Sequence, residues 1–148
     1  MSDKTHPSGL VYASWGRRLG AEILDQIFVT LPLGLAVSLL DVPRTFGSVV
    51  VFLAVFAYNA VLDSEPTGQT WGKKIVDIRV VSDERGDLIT RAEGAARAGV
   101  VAALSLAGNI ILGAGLLALL DALWPLWDRK RQTWHDKAAG SVVVRVEG

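Results

Sequence analysis

Leu19-Gly20-Ala21-Glu22-Ile23-Leu24-Asp25-Gln26-Ile27-Phe28-Val29-Thr30-Leu31-Pro32-Leu33-Gly34-Leu35-Ala36-Val37-Ser38-Leu39-Leu40 is the stretch on which the fold turns. A hydrocarbon core of ~30 Å takes about 20 helical residues at 1.5 Å each, and this stretch is long enough to cross it. Near its middle stands Asp25, preceded two turns earlier by Arg18. An ionisable group at membrane depth costs roughly 2.5–3.5 kcal/mol on insertion scales, so it normally faces protein or water and has a partner. Asp25 therefore marks a candidate functional site. Pro32 withholds a donor from the carbonyl of Phe28 and should kink the helix there, a break that membranes tolerate when neighbours satisfy the freed group.

Two more apolar blocks follow, Thr45–Leu62 and Ala95–Trp127, in a chain of 148 residues that length bounds to one domain. Three such blocks argue against a soluble protein with a single buried helix. Ala36-Val37-Ser38 resembles a signal-peptide cleavage site, but Glu22 and Asp25 interrupt the apolar region such a peptide needs. The first block thus reads as an uncleaved span. Residues 1–13 are polar and turn-rich and read as a flexible N-terminal arm. With no cysteine and only two histidines, thiolate and polyhistidine metal sites are excluded and no cofactor is implied.

Outside the blocks the pattern changes. Val76, Ile78 and Val80 alternate with Asp77 and Arg79, which is strand periodicity. Asp83-Glu84-Arg85-Gly86 is a turn cluster, after which Leu88-Ile89 would begin a returning strand. Ser141–Val146 is β-branched and reads as another strand. The expected fold is an α-helical multi-pass membrane protein. It has four helical segments in two hairpins, the second one short, and a small cytoplasmic β-sheet from residues about 75–89 and 141–146. The second hairpin would have arms Arg91–Ala107 and Ile110–Trp127 joined by a turn at Gly108-Asn109, with a single third crossing as the alternative.

Charge supports the two-hairpin arrangement. The chain is formally neutral, yet with both termini on the cytoplasmic side of the membrane all 15 Lys and Arg except Arg44 become cytoplasmic. The same arrangement sets the five tryptophans near one interface, where indole rings are enriched.

Arg18, Glu22 and Asp25 are spaced i, i+4, i+7 on one helix. Asp25 would lie about 10 Å below Arg18, and Asp121, seven residues before Asp128, about 10 Å below the same interface. Asn59 falls slightly shallower. These groups would form a hydrophilic pocket that binds a cation or carries a proton; the structural alternative pairs Asp25 and Asp121 with Arg17, Arg18 or Arg97 to fasten the bundle. Pro32 and the run Gly108, Gly113, Gly115 fit either broken transport helices or plain kinks and close packing. Gly68-Gln-Thr-Trp-Gly72-Lys73 fails as a phosphate loop, with three residues between its glycines and no Ser/Thr after the lysine. His135-Asp136 lacks a nucleophile. No enzyme and no nucleic-acid partner is indicated. Arg129-Lys130-Arg131 suits anionic lipid headgroups at the cytoplasmic face.

Three motifs in order resemble the RDD family of bacterial membrane proteins, named for one arginine and two aspartates. Arg18-Leu-Gly-Ala21-Glu-Ile-Leu-Asp25 matches its R-x-x-A-x-x-x-D. Gly68-Gln69-Thr70-Trp71-Gly72-Lys73 matches its G-Q-T-x-G-K. Arg131 to Val144 resembles its closing R-x-T-x-H-D-x-x-A-G-T-x-V-V, with Ser141 at the usual threonine. The resemblance spans residues 14–146 and implies one RDD-type membrane domain over 14–148, with Arg18, Asp25 and Asp136 as signature residues. Transport is suggested for the family, with sodium/proton exchange proposed for some members. The expectation is a small transporter or transport subunit for a cation or proton, with Arg18, Asp25, Asn59, Asp121 and Asp136 as candidate ion or substrate residues. Four short helices leave little room for a path, so a homo-oligomer is expected. A non-transport accessory or scaffold protein with structural buried charges is the alternative.

Overall fold

The structure, a computed structural model, describes residues 5–110 and 114–146. Helix α1 (Trp15–Asp25) is capped by Ser14, whose side chain accepts from the amide of Arg17. It runs without a break through one stretch of π-helix (Gln26–Thr30) into α2 (Leu31–Leu39). The wide turn sits just before Pro32, with the amide of Leu31 bonding back to Gln26. The break expected from the proline is thus taken up by widening the helix upstream of the ring.

Asp41-Val42-Pro43 reverses the chain into α3 (Arg44–Leu62). There follow α4 (Trp71–Ile75), β1 (Ile78–Ser82), α5 (Arg91–Ile110), α6 (Ala114–Leu123), a 3-10 turn (Trp124–Leu126), α7 (Trp134–Ala138) and β2 (Ser141–Arg145). The chain is mostly helical, and two of its helical stretches, Trp15–Leu39 and Arg44–Leu62, are long and apolar enough to cross a membrane. Only 6% and 11% of their apolar windows are buried within the protein, which is not how the core helix of a soluble domain sits. Leu31, Leu35 and Leu39, for example, all face outward.

The expected pairing of the two strands is present: β1 and β2 are antiparallel, with Ile78 opposite Arg145 and Ser82 opposite Ser141. Two expectations need correction. Leu88-Ile89 forms no strand. Ile89 is fully buried in a loop, where its carbonyl accepts from the amide of Glu65. The turn expected at Gly108-Asn109 is absent, because α5 continues through both residues to Ile110. Glycine and asparagine favour turns where water satisfies the backbone, but in apolar surroundings continuing the helix keeps those groups bonded. α5 and α6 pack on each other.

The N-terminal segment, read as an arm, lies along the sheet in its second half. Tyr12 bridges Val144, Ala13 donates to Val143, and Arg145 donates to the carbonyl of Val11. Tyr12 and Ala13 are buried. Ala13 joins Ala21, Ile78, Val80, Ile89 and Val143 in one core between the sheet and α1, while Tyr12 joins Val81, Val142 and Val144 on the other face.

The helices α3 and α5 cross closely at Gly94. A Cβ there would lie 2.9 Å from Ser64 Cβ and would press on the Ala60 carbonyl. Gly94→Val should destabilise the folded protein by about 1–3 kcal/mol through overpacking, read as a lowered melting temperature in detergent micelles.

Candidate functional site

Five charged side chains alternate in sign through the interior. Arg18 Nη1 donates to Asp136 Oδ2 at 2.6 Å. Arg97 grips Asp136 Oδ1 through Nε (3.0 Å) and Nη2 (2.9 Å). The other terminal nitrogen of Arg97 reaches Asp63 Oδ2, and Lys73 Nζ donates to Asp63 Oδ1 at 2.6 Å. Both aspartates are essentially inaccessible, and each is held between two cations. This ladder joins α1, α7, α5, the C-terminal cap of α3, and α4.

Local sequence places each rung. Thr133 caps α7, accepting from the Asp136 amide while Asp136 accepts from the Thr133 amide. This capping box holds the carboxylate from within α7 itself. Asp63 ends α3, where its amide still bonds to Asn59. Thr70 caps α4 and so presents Lys73 toward Asp63.

Asp25 is buried outside this ladder and pairs with no cation among the described residues. Its Oδ1 accepts from Tyr58 Oη (2.8 Å) and the Gly72 amide (2.8 Å), and its Oδ2 accepts from Thr70 Oγ1 at 2.6 Å. Gly72 is required here, because a Cβ would strike the Ala21 carbonyl and come within 2.9 Å of the Asp25 carboxyl carbon. Tyr58 Oη also accepts from the Trp71 amide. Asp25 is thus a latch between α1 and the Gly68–Lys73 motif. The pairing with Arg17 or Arg18 that one reading anticipated is not made; Arg17 instead donates to the Val76 carbonyl.

Asp121 has the same role for α7. It accepts from the amides of Trp134 (2.7 Å) and His135 (3.2 Å) and bonds His135 Nδ1 at 2.7 Å. His135 Nε2 lies 3.2 Å from Arg97 Nη2. A guanidinium only donates, so Nε2 accepts and Nδ1 carries the proton that goes to Asp121. Asn59 bonds back to the Val55 carbonyl of its own helix.

A cavity of about 1030 Å³ runs between α1–α2, α3, α5 and α6. Its wall on the first helix is the stripe Arg18, Glu22, Gln26, Thr30, Gly34, Ser38, one residue per turn. Asn59, Asp63, Lys73, Arg97, Asp121 and His135 also line it. Asp25 and Asp136 do not. Of the five sequence-predicted residues, the structure brings Arg18, Asn59 and Asp121 to the cavity and joins Arg18 to Asp136. The carboxylate that lines the cavity in the body of the first helix is Glu22, exposed there and accepting from Gln26 at 3.3 Å. Residues three apart are turned 60° from each other around a helix, enough for Asp25 to face α4 while Glu22 faces the cavity.

An internal repeat went unread in the sequence. Gln69-Thr70-Trp71 recurs as Gln132-Thr133-Trp134, and several backbone features around it recur at the same offset. Gly68 and Arg131 both have positive φ, as do Asp77 and Gly140. Each threonine caps a five-residue helix. Each glutamine donates to the carbonyl nine residues on, at 2.9 Å. The strands that follow pair with each other about a local two-fold axis. Each half is therefore two helices, a capped short helix and a strand, with an aspartate from a long helix on the amides of the short one. That aspartate comes from the first helix in one half and the second helix in the other.

A family model described as the RDD family matches residues 12–140. The chain is 32% identical over 129 residues to a protein of Bacillus subtilis (strain 168) named "Uncharacterized protein YckC", an alignment covering 86% of this chain and 80% of that one. No solved structure matches the chain.

Burial raises the Asp136 carboxyl, but Arg18 and Arg97 overcome it and hold the group well below the usual carboxylate range. The ordinary value is near 3.9, so the stabilisation is complete above about pH 5 and is lost as the pH falls through 4 and below. Thermal unfolding in micelles should show this acid limb. Asp136→Asn should lower stability at neutral pH by about 3–5 kcal/mol, because two buried guanidiniums lose their anion, and should flatten the limb.

Proposed function

The chain belongs to the RDD family, and on that footing we propose that it is a multi-pass membrane protein that moves a cation or proton through the cavity between its two halves. The proposed topology has four helical segments and both termini in the cytoplasm. It follows the segregation of Lys and Arg toward the sheet end and the outward apolar faces of Trp15–Leu39 and Arg44–Leu62. Trp71, exposed on α4, and Trp127 after α6 then sit at one interface. Arg129 beside Trp127 is the exposed contact for anionic headgroups, since Lys130 is drawn to Asp83 and Arg131 to the Tyr12 carbonyl.

The observation that carries the reading is the cavity itself, at the interface between repeats, the place where transporters of repeated construction hold their substrates. It reaches from the ladder at one end to Asp41 and Arg44 at the other. Along it, Glu22 with Gln26 and Thr30 offers oxygen ligands suited to a hard cation or a proton. Asp25, Asp121 and Asp136 are assigned to holding the bundle, a division of labour that differs from an ion site at Asp25. The proposal involves no chemical step.

A scaffold role without transport is the second reading, favoured by how completely Asp25, Asp121 and Asp136 are occupied by internal donors. Liposomes holding reconstituted protein and a pH-sensitive dye separate the two. An imposed sodium gradient should drive proton flux in the wild type, and Glu22→Gln should abolish it with folding intact. Absence of flux in the wild type, or unchanged flux in Glu22→Gln, overturns the transport reading.

A further inference from the structure

Among the described residues Arg18 carries the most buried side-chain donors without a partner. Its side chain is 11% accessible, and one terminal nitrogen, Nη1, is used on Asp136. Nε and Nη2 are buried and have no partner among the described residues. These two nitrogens share one edge of the planar guanidinium, the edge whose parallel N–H bonds match a carboxylate or phosphate. Arg97 shows that edge in use: its Nε and Nη2 both close on Asp136. A buried donor pair with no acceptor calls for a ligand or water to complete it. Arg18 lies on the cavity wall, and since Nε and Nη2 are themselves closed to solvent, an acceptor reaches them by a turn of the guanidinium toward the cavity.

The nearest carboxylate on the same helix face is Glu22, one turn away, where an Arg–Glu pair is geometrically allowed. It is turned to Gln26 instead, and no ion pair joins it to Arg18. We propose that the free edge of Arg18 is an oxyanion site, for a carboxylate or a phosphate, occupied together with a cation on Glu22. The inference rests on the reading of the cavity as a solute site.

Electrostatics makes the two occupants cooperative. Glu22 alone repels an anion one helical turn away, and a cation bound to it removes that repulsion. The coupling is reciprocal, so the oxyanion must tighten the cation by the same factor. Nothing covalent occurs. The ladder anchors Arg18 at Nη1 while its other edge exchanges ligands.

Calorimetric titration of the delipidated protein in micelles tests this, with inorganic phosphate and acetate as probes at constant ionic strength. Sodium is compared with N-methylglucamine as the cation. The expected result is saturable binding of one of the two anions, several-fold tighter in sodium. Glu22→Gln should bind the anion at least as tightly and without cation dependence. Arg18→Lys keeps a charge for Asp136 but lacks the fork, and should bind roughly tenfold or more weakly. Should Arg18→Lys fail to fold, unchanged anion affinity and cation dependence in Glu22→Gln overturns the proposal by itself. A parallel titration with short-chain phosphatidylglycerol fixes the source: Arg18-dependent binding of the lipid without free phosphate or acetate assigns the site to a headgroup. If none of the three ligands binds in an Arg18-dependent way, the inference is wrong. Flux lost in Glu22→Gln alongside no anion binding would defeat this site alone. Arg18-dependent anion binding without flux would defeat the transport reading alone.

Discussion

Everything at the sheet end of this protein depends on one alternating run of buried charge, Arg18–Asp136–Arg97–Asp63–Lys73. Removing five ions from water is expensive, and the arrangement offsets that by giving each anion two cations. Asp136 has a third source of support in the amide of Thr133. Such a run contributes less to net stability than to uniqueness, since any other packing of α1, α3, α5, α4 and α7 would strand at least one ion. Leaving a single buried charge unpaired costs about 3–5 kcal/mol, comparable to the whole stability of a small domain. The ladder therefore selects one mutual placement of the two halves.

The ladder also explains why the cavity is open. Among the described residues the two halves are joined by polar contacts where their short helices and strands meet, through β1–β2 pairing and the charge run, while the Asp25 and Asp121 latches tie each short helix to a long helix of its own half. Farther along, the helices of the first half are held to each other by apolar contact, as where Val37 closes on Gly47. Strong polar fastening at one end permits the helices to diverge elsewhere, and the polar stripe on α1–α2 lines the gap. The two-fold relation of the repeats places that gap between halves of similar construction rather than at an accidental crevice.

How much of this was legible in the sequence depended on the range of each interaction. The strand pairing was readable because period-2 patterns and β-branched runs are local, and Asp25 because a charge in an apolar run is conspicuous. The partners of Asp25 and Asp121 were not readable: they are amides and hydroxyls of short helices far along the chain, and a backbone amide has no signature. Leu88-Ile89 misled because a buried apolar pair looks the same in a strand and in a core loop. The Gln-Thr-Trp repeat was visible in the letters, yet three residues are too few to claim recurrence without the matching caps, positive-φ positions and glutamine bonds. Glu22 was read together with Asp25 because spacing alone does not say which neighbour occupies each side of a helix.

Counting donors then reorders the candidates. A carboxylate has about four lone-pair sites. Asp25 has filled three of them with neutral donors, and Asp136 has filled its own with two guanidiniums and an amide. Groups so occupied hold a structure in place and have little left for an incoming ion. Depth in the membrane, the property that first singled out Asp25, measures only how badly a charge needs partners. It does not say whether protein or solute provides them. Glu22, with a single hydrogen-bond donor from Gln26, and Arg18, with a fork unpartnered among the described residues, are groups on the cavity wall that the chain leaves less completely bonded. A site that binds something must be built from groups of that kind.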